Sequence, residues 1–221
     1  MNDRAIGRAG FLGILGAGAV GLFLARDFTG LLDRAVPKSV SAIVPASGWR
    51  IYTVGSSMPS VARAAYRLRV DGLVAAPKTF TLAELKAMPR AEQVSDFHCV
   101  TGWVVKNVRW GGVRIADVLE QAGAKQGVSS LRFVSAEVPY DDTLTLPQAL
   151  LPNVMLALDM DGEPLSRGHG FPARIVMPRM YGYKSVKWVT RIEARTTYND
   201  LGYWEQNGYD KDAWIGAANG F

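Results

Sequence analysis

Apolar and polar residues alternate through "YRLRV". Tyr66, Leu68 and Val70 stand against Arg67 and Arg69, and Asp71-Gly72 follows. A period of two predicts a half-buried strand ending in a turn. "TLAEL" carries a capping box from Thr81 to Glu84, which predicts a short helix stopping at Pro89. Gln93 to Val100 reads as a strand, with Cys99 near its end. "GGVRIADVLEQAG" has helical spacing, with Gly123 just past its end. "SLRFVSA" predicts a strand, and Pro147 opens another short helix. "VMLALDMDGEPL" predicts a hairpin arm turning at Asp161-Gly162, and "ARIVMP" and "KWVTRIEAR" read as further strands. In the last, alternation places Trp188, Thr190 and Ile192 on one face and Val189, Arg191 and Glu193 on the other. The fold class is therefore α+β, with short strands in mixed sheets and a few short helices. No internal repeat and no regular strand–helix train is present, which argues against a doubly wound fold.

The N-terminal pattern is different. Residues 9–25 carry no charge, and Arg4 and Arg8 precede them. At about 1.5 Å per residue such a helix just reaches the lower limit for a bilayer span. Its many glycines weaken a water-exposed helix but are tolerated in membranes. "GRAGFL" looks like a degraded twin-arginine signal, with Ala9 where the second arginine would stand. No clear A-x-A cleavage site follows, so an uncleaved anchor is favoured over a cleaved signal or a buried glycine-rich helix. The division expected is residues 1–30 as a hydrophobic anchor or signal-like helix, 31–48 as a linker and 49–221 as the catalytic domain.

Composition narrows the function. A chain that is 48% hydrophobic and 20% charged can bury a core, which excludes global disorder. The net charge of +5 invites nucleic acid, but lysines and arginines are scattered and no nucleic-acid-binding motif is present. A basic pocket for a small anion explains the charge equally well. One cysteine excludes an intrachain disulfide, a four-cysteine zinc site and an iron–sulfur cluster held by this chain alone. Any redox centre here must need one thiolate at most.

That cysteine lies in "DFHCVTGW", beside His98. Alone, Cys99 reads as a buried structural thiol and His98 as a packed or surface imidazole. "GHGFPARIVMP" alone is a turn entering a strand, and "GYKSVKW" a loop with two lysines. Taken in order, with "WGGVRIADVLE" after the cysteine and "SVKWVTRIE" eleven residues past Arg174, they resemble the sulfite oxidase family of molybdopterin enzymes. That family includes the periplasmic methionine sulfoxide reductase catalytic subunits. The likeness spans residues 49–208, including the aromatic "GYWEQNGY".

The resemblance implies a sulfite-oxidase-type molybdopterin-binding fold and a molybdenum–molybdopterin cofactor. Cys99 would be the metal ligand, because molybdenum with sulfur donors favours a soft thiolate. Arg174 would grip the pterin phosphate through its planar fork, and Lys187 with the Ser185-Val186 backbone would close the other side. His169 and Ser135 match cofactor-contacting positions. Tyr52 and Thr53 fall near the first cofactor loop.

Substrate groups differ from those of sulfite oxidases. Val100, Thr101, Gly102 and Trp103 carry no positive charge where those enzymes carry arginine. Residues 52–55 carry none either, and Leu158 stands where those enzymes have a tyrosine. A sulfite dianion would lose several charge-assisted bonds, each worth about 1.5–3 kcal/mol. The expected activity is therefore oxygen-atom transfer with a sulfoxide, with Thr101, Trp103 and Tyr140 as candidate substrate contacts. Electrons would come from a membrane haem-b protein, and the chain would sit on the extracytoplasmic, periplasmic side. Two alternatives stand beside this. One is a sulfite dehydrogenase whose arginines come from Arg50, Arg109 or Arg179. The other is a cofactor-binding subunit of a membrane complex without turnover.

Overall fold

The computed structural model describes residues 48–216. The hydrophobic segment 1–30 and most of the linker lie outside them. Among the described residues, no helix is long and apolar enough to cross a membrane.

Two five-stranded sheets form the frame. The first has the order β2-β1-β10-β5-β6, from β1 (Arg67–Gly72), β2 (Lys78–Thr81), β5 (Ser130–Ser135), β6 (Asp141–Thr145) and β10 (Val189–Arg195). The second runs β3-β4-β7-β8, from β3 (Ala91–His98), β4 (Val104–Arg114), β7 (Met155–Met160) and β8 (Glu163–Pro164), with β9 (Arg174–Val176) paired to β7. The β1–β10 pair is parallel and every other pairing is antiparallel. The sheets are thus mixed and the helices short.

Local chemistry explains the small helices. α1 (Leu82–Ala87) starts on Thr81, whose hydroxyl accepts the Glu84 N–H while the Glu84 carboxylate accepts the Thr81 N–H. α2 (Ile115–Ala122) buries Ile115, Val118, Leu119 and Ala122, one face at spacings of three and four. It ends on Gly123, whose φ of 65° lies in the left-handed region. α3 (Leu146–Ala149) has the same kind of box, from Thr145 to Gln148, with Pro147 in its first turn.

The structure departs from the sequence pattern in three places. The "GGVR" before α2 is strand, because β4 runs on through Gly111 and Gly112 between β3 and β7. Gly112 is needed there: a Cβ would stand 2.1 Å from the Leu156 carbonyl oxygen. β3 ends at His98 rather than Val100, so Cys99 belongs to a turn. In β10 the alternation breaks, because a register shift between Val189 and Arg191 puts both Val189 and Ile192 in the core.

The main core fills the space around Leu68, Val70, Leu131, Phe133, Ile175 and Ile192. A second, aromatic cluster gathers Trp49 and Trp110 with the half-buried Phe97 and Trp103. Between these regions the loops converge on one cleft.

Candidate functional site

The cleft opens partly to solvent. Six chain segments line it. They are residues 49–54, Phe97 with the turn that follows β3, the link from β5 to β6, the loop entering β9, the 182–187 loop and the 204–209 segment. The sheets hold the loop bases, and the loops supply the chemistry.

Cys99 sits in a tight turn. Its N–H donates to the Trp103 carbonyl at 3.0 Å, and its own carbonyl accepts the Gly102 N–H at 3.0 Å. Gly102 has φ 95°, which a side chain would strain. The turn lifts the thiol off the strand and presents it to the cleft. Sγ lies 3.1 Å from the Thr101 hydroxyl. Burial pushes the thiol pKa up, against the Thr101 contacts and the field of Arg50. Tyr52, Trp103, Trp204 and Tyr209 share the cleft wall with it.

The same lining also carries cationic side chains. Arg174 is 2% exposed. Its guanidinium donates to the carbonyls of Ser185 at 3.2 Å and His169 at 3.3 Å, and lies 5.2 Å from the ring centroids of both Phe97 and Trp110. No carboxylate pairs with it among the described residues. Burial lowers its pKa to about 10. Lys187 donates to the Tyr52 carbonyl at 2.7 Å and the Gly168 carbonyl at 3.4 Å. Burial lowers its pKa to about 7; Glu137 opposes the shift and Arg174 adds to it. His169 packs edge-on against Trp49, with its pKa lowered to about 3 by burial and then by Arg174 and Lys187. It is therefore a neutral imidazole with one donor and one acceptor. Arg174 thus brings to the cleft a buried positive charge that no carboxylate pairs among the described residues, which suits an anion.

Six residues singled out from the sequence line this cleft: Tyr52, Cys99, His169, Arg174, Ser185 and Lys187. Three do not. Thr53 is 3% exposed and is not part of the lining. Ser135 stands behind the wall, where its hydroxyl donates to the Lys187 carbonyl at 2.8 Å and accepts the Glu137 N–H at 2.9 Å. Val186 is fully buried, and its carbonyl accepts the Ile175 N–H at 2.8 Å.

Substrate candidates divide in the same way. Tyr140 lines the cleft, but its hydroxyl is engaged with the Tyr183 carbonyl at 2.6 Å. Leu158 lies in the main core and does not line the cleft, so its contrast with the tyrosine of sulfite oxidases has no bearing on the wall. Of the three arginines considered for sulfite, Arg50 lines the cleft. Arg109 and Arg179 do not, and Arg179 lies over the Trp214 ring instead. His98 ends β3 opposite Val104, away from the lining.

Sequence reasoning missed Glu137, Trp49 and the pair Trp204 and Tyr209, all of which line the cleft. Glu137 accepts the N–H groups of Val54 at 2.7 Å and Gly55 at 3.1 Å. Those partners are 83 and 82 residues away, so no local pattern could mark it.

Comparison with known proteins bears on this arrangement. The family described as "Oxidoreductase molybdopterin binding domain" matches residues 55–204. The chain is 41% identical over 144 residues to the uncharacterized oxidoreductase YuiH of Bacillus subtilis, covering 65% of this chain and 72% of that one. It is 32% identical over 188 residues to the putative protein-methionine-sulfoxide reductase subunit YedZ1 of Azospira oryzae, covering 82% and 70% respectively. Sulfite oxidases of fly, plant and bird match as well, over less than half of their own length. Among solved structures, the sulfane dehydrogenase SoxCD from Paracoccus pantotrophus is similar, with a TM-score of 0.61 at 27% identity over 65% of this chain and 41% of that one.

Proposed function

Since the chain belongs to the sulfite-oxidase-type family of molybdopterin-binding oxidoreductases, we propose that the cleft around Cys99 holds its molybdenum–molybdopterin cofactor and reduces a sulfoxide there. Members of this family are enzymes, which sets aside the reading of a subunit without turnover.

The residues present fit the cofactor. Cys99 would supply the single soft thiolate that molybdenum needs beside the pterin's own sulfurs. Arg174 is a buried cation with only carbonyl partners, and a phosphate would complete its charge. Lys187 and Ser185 line the same cleft, and the Ser185 carbonyl accepts from Arg174. His169, neutral, would meet the pterin ring by donating one hydrogen bond and accepting another. When bound, the group supplies two-electron oxygen-atom exchange, and the chain supplies orientation and a water-poor site.

One observation carries the choice of substrate: the lining around Cys99 is aromatic, and of the two arginines in the lining, Arg50 and Arg174, the second is held by carbonyl oxygens and assigned to the phosphate. A small dianion entering here would be dehydrated without paired donors, which is costly. A sulfoxide needs one or two donors for its oxygen and an apolar wall for its substituents. Trp103 lines the cleft for the first role, and Trp204 and Tyr209 line it for the second; the Thr101 hydroxyl contacts Sγ but is not part of the lining. The likeness to a methionine-sulfoxide reductase subunit over most of the chain supports the same substrate class.

The test is kcat/KM for methionine sulfoxide reduction and for sulfite oxidation on one molybdenum-replete preparation. Sulfite should be roughly a hundredfold poorer, about 2.7 kcal/mol of transition-state stabilisation. Efficient sulfite oxidation that weakens with ionic strength would favour the second reading, a sulfite dehydrogenase using Arg50.

We further propose that residues 1–30 anchor the chain outside the cytoplasmic membrane and that a membrane haem-b protein delivers its electrons. The uncharged run 9–25 supports the anchor, and the relative's being a reductase subunit supports a separate electron-transfer partner. Deleting residues 1–30 should release a folded, soluble domain; aggregation of the truncated chain would count against the anchor.

A further inference from the structure

Lys187 and Arg174 give the cleft the sign that a phosphate requires. Glu137 gives it the opposite sign. It lines the same cleft, is 3% exposed, and makes no ion pair among the described residues. A buried carboxylate in an anion pocket repels the ligand unless its charge is taken up elsewhere. Here one oxygen accepts two consecutive backbone N–H groups, from Val54 at 2.7 Å and Gly55 at 3.1 Å. Charge-assisted bonds of this kind are among the stronger hydrogen bonds in proteins.

The surrounding bonds close a ring. The Glu137 N–H donates to the Ser135 hydroxyl, which donates to the Lys187 carbonyl. The Lys187 ammonium donates to the Tyr52 carbonyl, two residues before Val54. Residues 52–55 are thus held from both ends by side chains more than 80 positions away in the chain. Tyr52 and Val54 form part of the cleft wall. Moving this segment would open that wall.

We infer that Glu137 is a positioning residue: its carboxylate pins the Val54–Gly55 backbone along the cleft and sets how firmly the chain retains its cofactor. This rests on the cleft being the cofactor's site and is independent of the sulfoxide assignment.

The experiment compares cofactor-loaded wild type, Glu137→Gln and Glu137→Ala. Amide exchange of residues 52–55 is read by mass spectrometry, and pterin loss by fluorescence of the released, oxidised pterin. Glu137→Ala should speed both exchange and pterin release at least about tenfold, because two charge-assisted bonds are gone. Glu137→Gln keeps an acceptor oxygen and should stay within about threefold of wild type in both readouts. Three results would each overturn the inference: unchanged exchange in Glu137→Ala, faster exchange with unchanged pterin release, or Glu137→Gln as leaky as Glu137→Ala. If Glu137→Ala does not fold, loaded wild type decides. Its Val54 and Gly55 amides should be strongly protected, and exchange at the rate of a free peptide would overturn the inference. Arg174→Ala serves as a separate control for the cofactor site, since its loss of pterin does not depend on Glu137.

Discussion

Arg174 donates from its guanidinium to the carbonyl oxygen of Ser185, 3.2 Å away, and that choice of partner leaves the charge of the arginine uncancelled. A carboxylate in place of the carbonyl would have neutralised the site. A carbonyl orients the fork and leaves its charge uncancelled, ready for an anion. Arg174→Ala should therefore reduce bound pterin at least about tenfold, since a charge-assisted contact is lost. Arg174→Lys should restore little, because an ammonium cannot make the planar two-point contact. Pterin content per folded protein, measured after oxidation, checks both.

Cys99→Ser should abolish turnover while leaving the fold intact. The hydroxyl is close in size to the thiol, but it is a hard ligand in place of a soft one. The turn is held by backbone bonds of Cys99 that the substitution does not touch. Circular dichroism should match wild type, and the paramagnetic resonance signal of the metal should change. Full activity in this variant would remove the thiolate from the chemistry.

Beneath the cleft, Lys184 is enclosed by two carboxylates. Its ammonium donates to Asp142 at 2.7 Å, to Glu205 and to the Thr143 carbonyl at 3.2 Å, and all three ionic side chains are at most 2% exposed. Burial holds Asp142 well above the usual carboxylate range; Lys184 opposes that rise and Glu205 adds to it. Lys184→Met removes the one cation that pairs with these carboxylates among the described residues and should cost about 3–5 kcal/mol, read as a lower urea midpoint at unchanged slope. Tyr183 and Ser185 flank this lysine and line the cleft, so the loss should loosen the cofactor too.

His169 sets a pH dependence in the cofactor-free protein. Its folded pKa of about 3 lies below the ordinary value of 6.5, so the unfolded chain binds the extra proton between them. Stability from this group is fully present above 6.5 and is lost as pH falls through that window towards 3. The slope is at most about 1.4 kcal/mol per pH unit. His169→Gln cannot take up that proton. Urea titrations from pH 7 to pH 4 should show wild type losing stability faster than the variant. Parallel curves would mean that the imidazole is not kept neutral by the fold.

The short-range features were legible because their causes are short-range. The strand through Leu68 and Val70, the capping box at Thr81, the stop at Gly123 and the turn at Asp161-Gly162 each depend on neighbours a few residues apart. The glycines before α2 misled for the same reason. Their helical spacing is real, but two flanking strands recruit Gly111 and Gly112 into β4.

By itself, the sequence determined that one thiol serves any metal here, that Arg174 and Lys187 follow it in a set order, and that the fold uses short strands in mixed sheets. Residue type alone decides soft ligation and charge, so these needed no coordinates. Tertiary structure alone decided which of those residues share a cleft: it brought Tyr52 and Ser185 to the lining and left Thr53, Ser135 and Val186 outside it. It also brought Glu137 to the backbone of Val54 and Gly55. A hydrogen bond to a main-chain N–H is blind to the identity of the residue that offers it, so such a partner leaves no mark in the sequence.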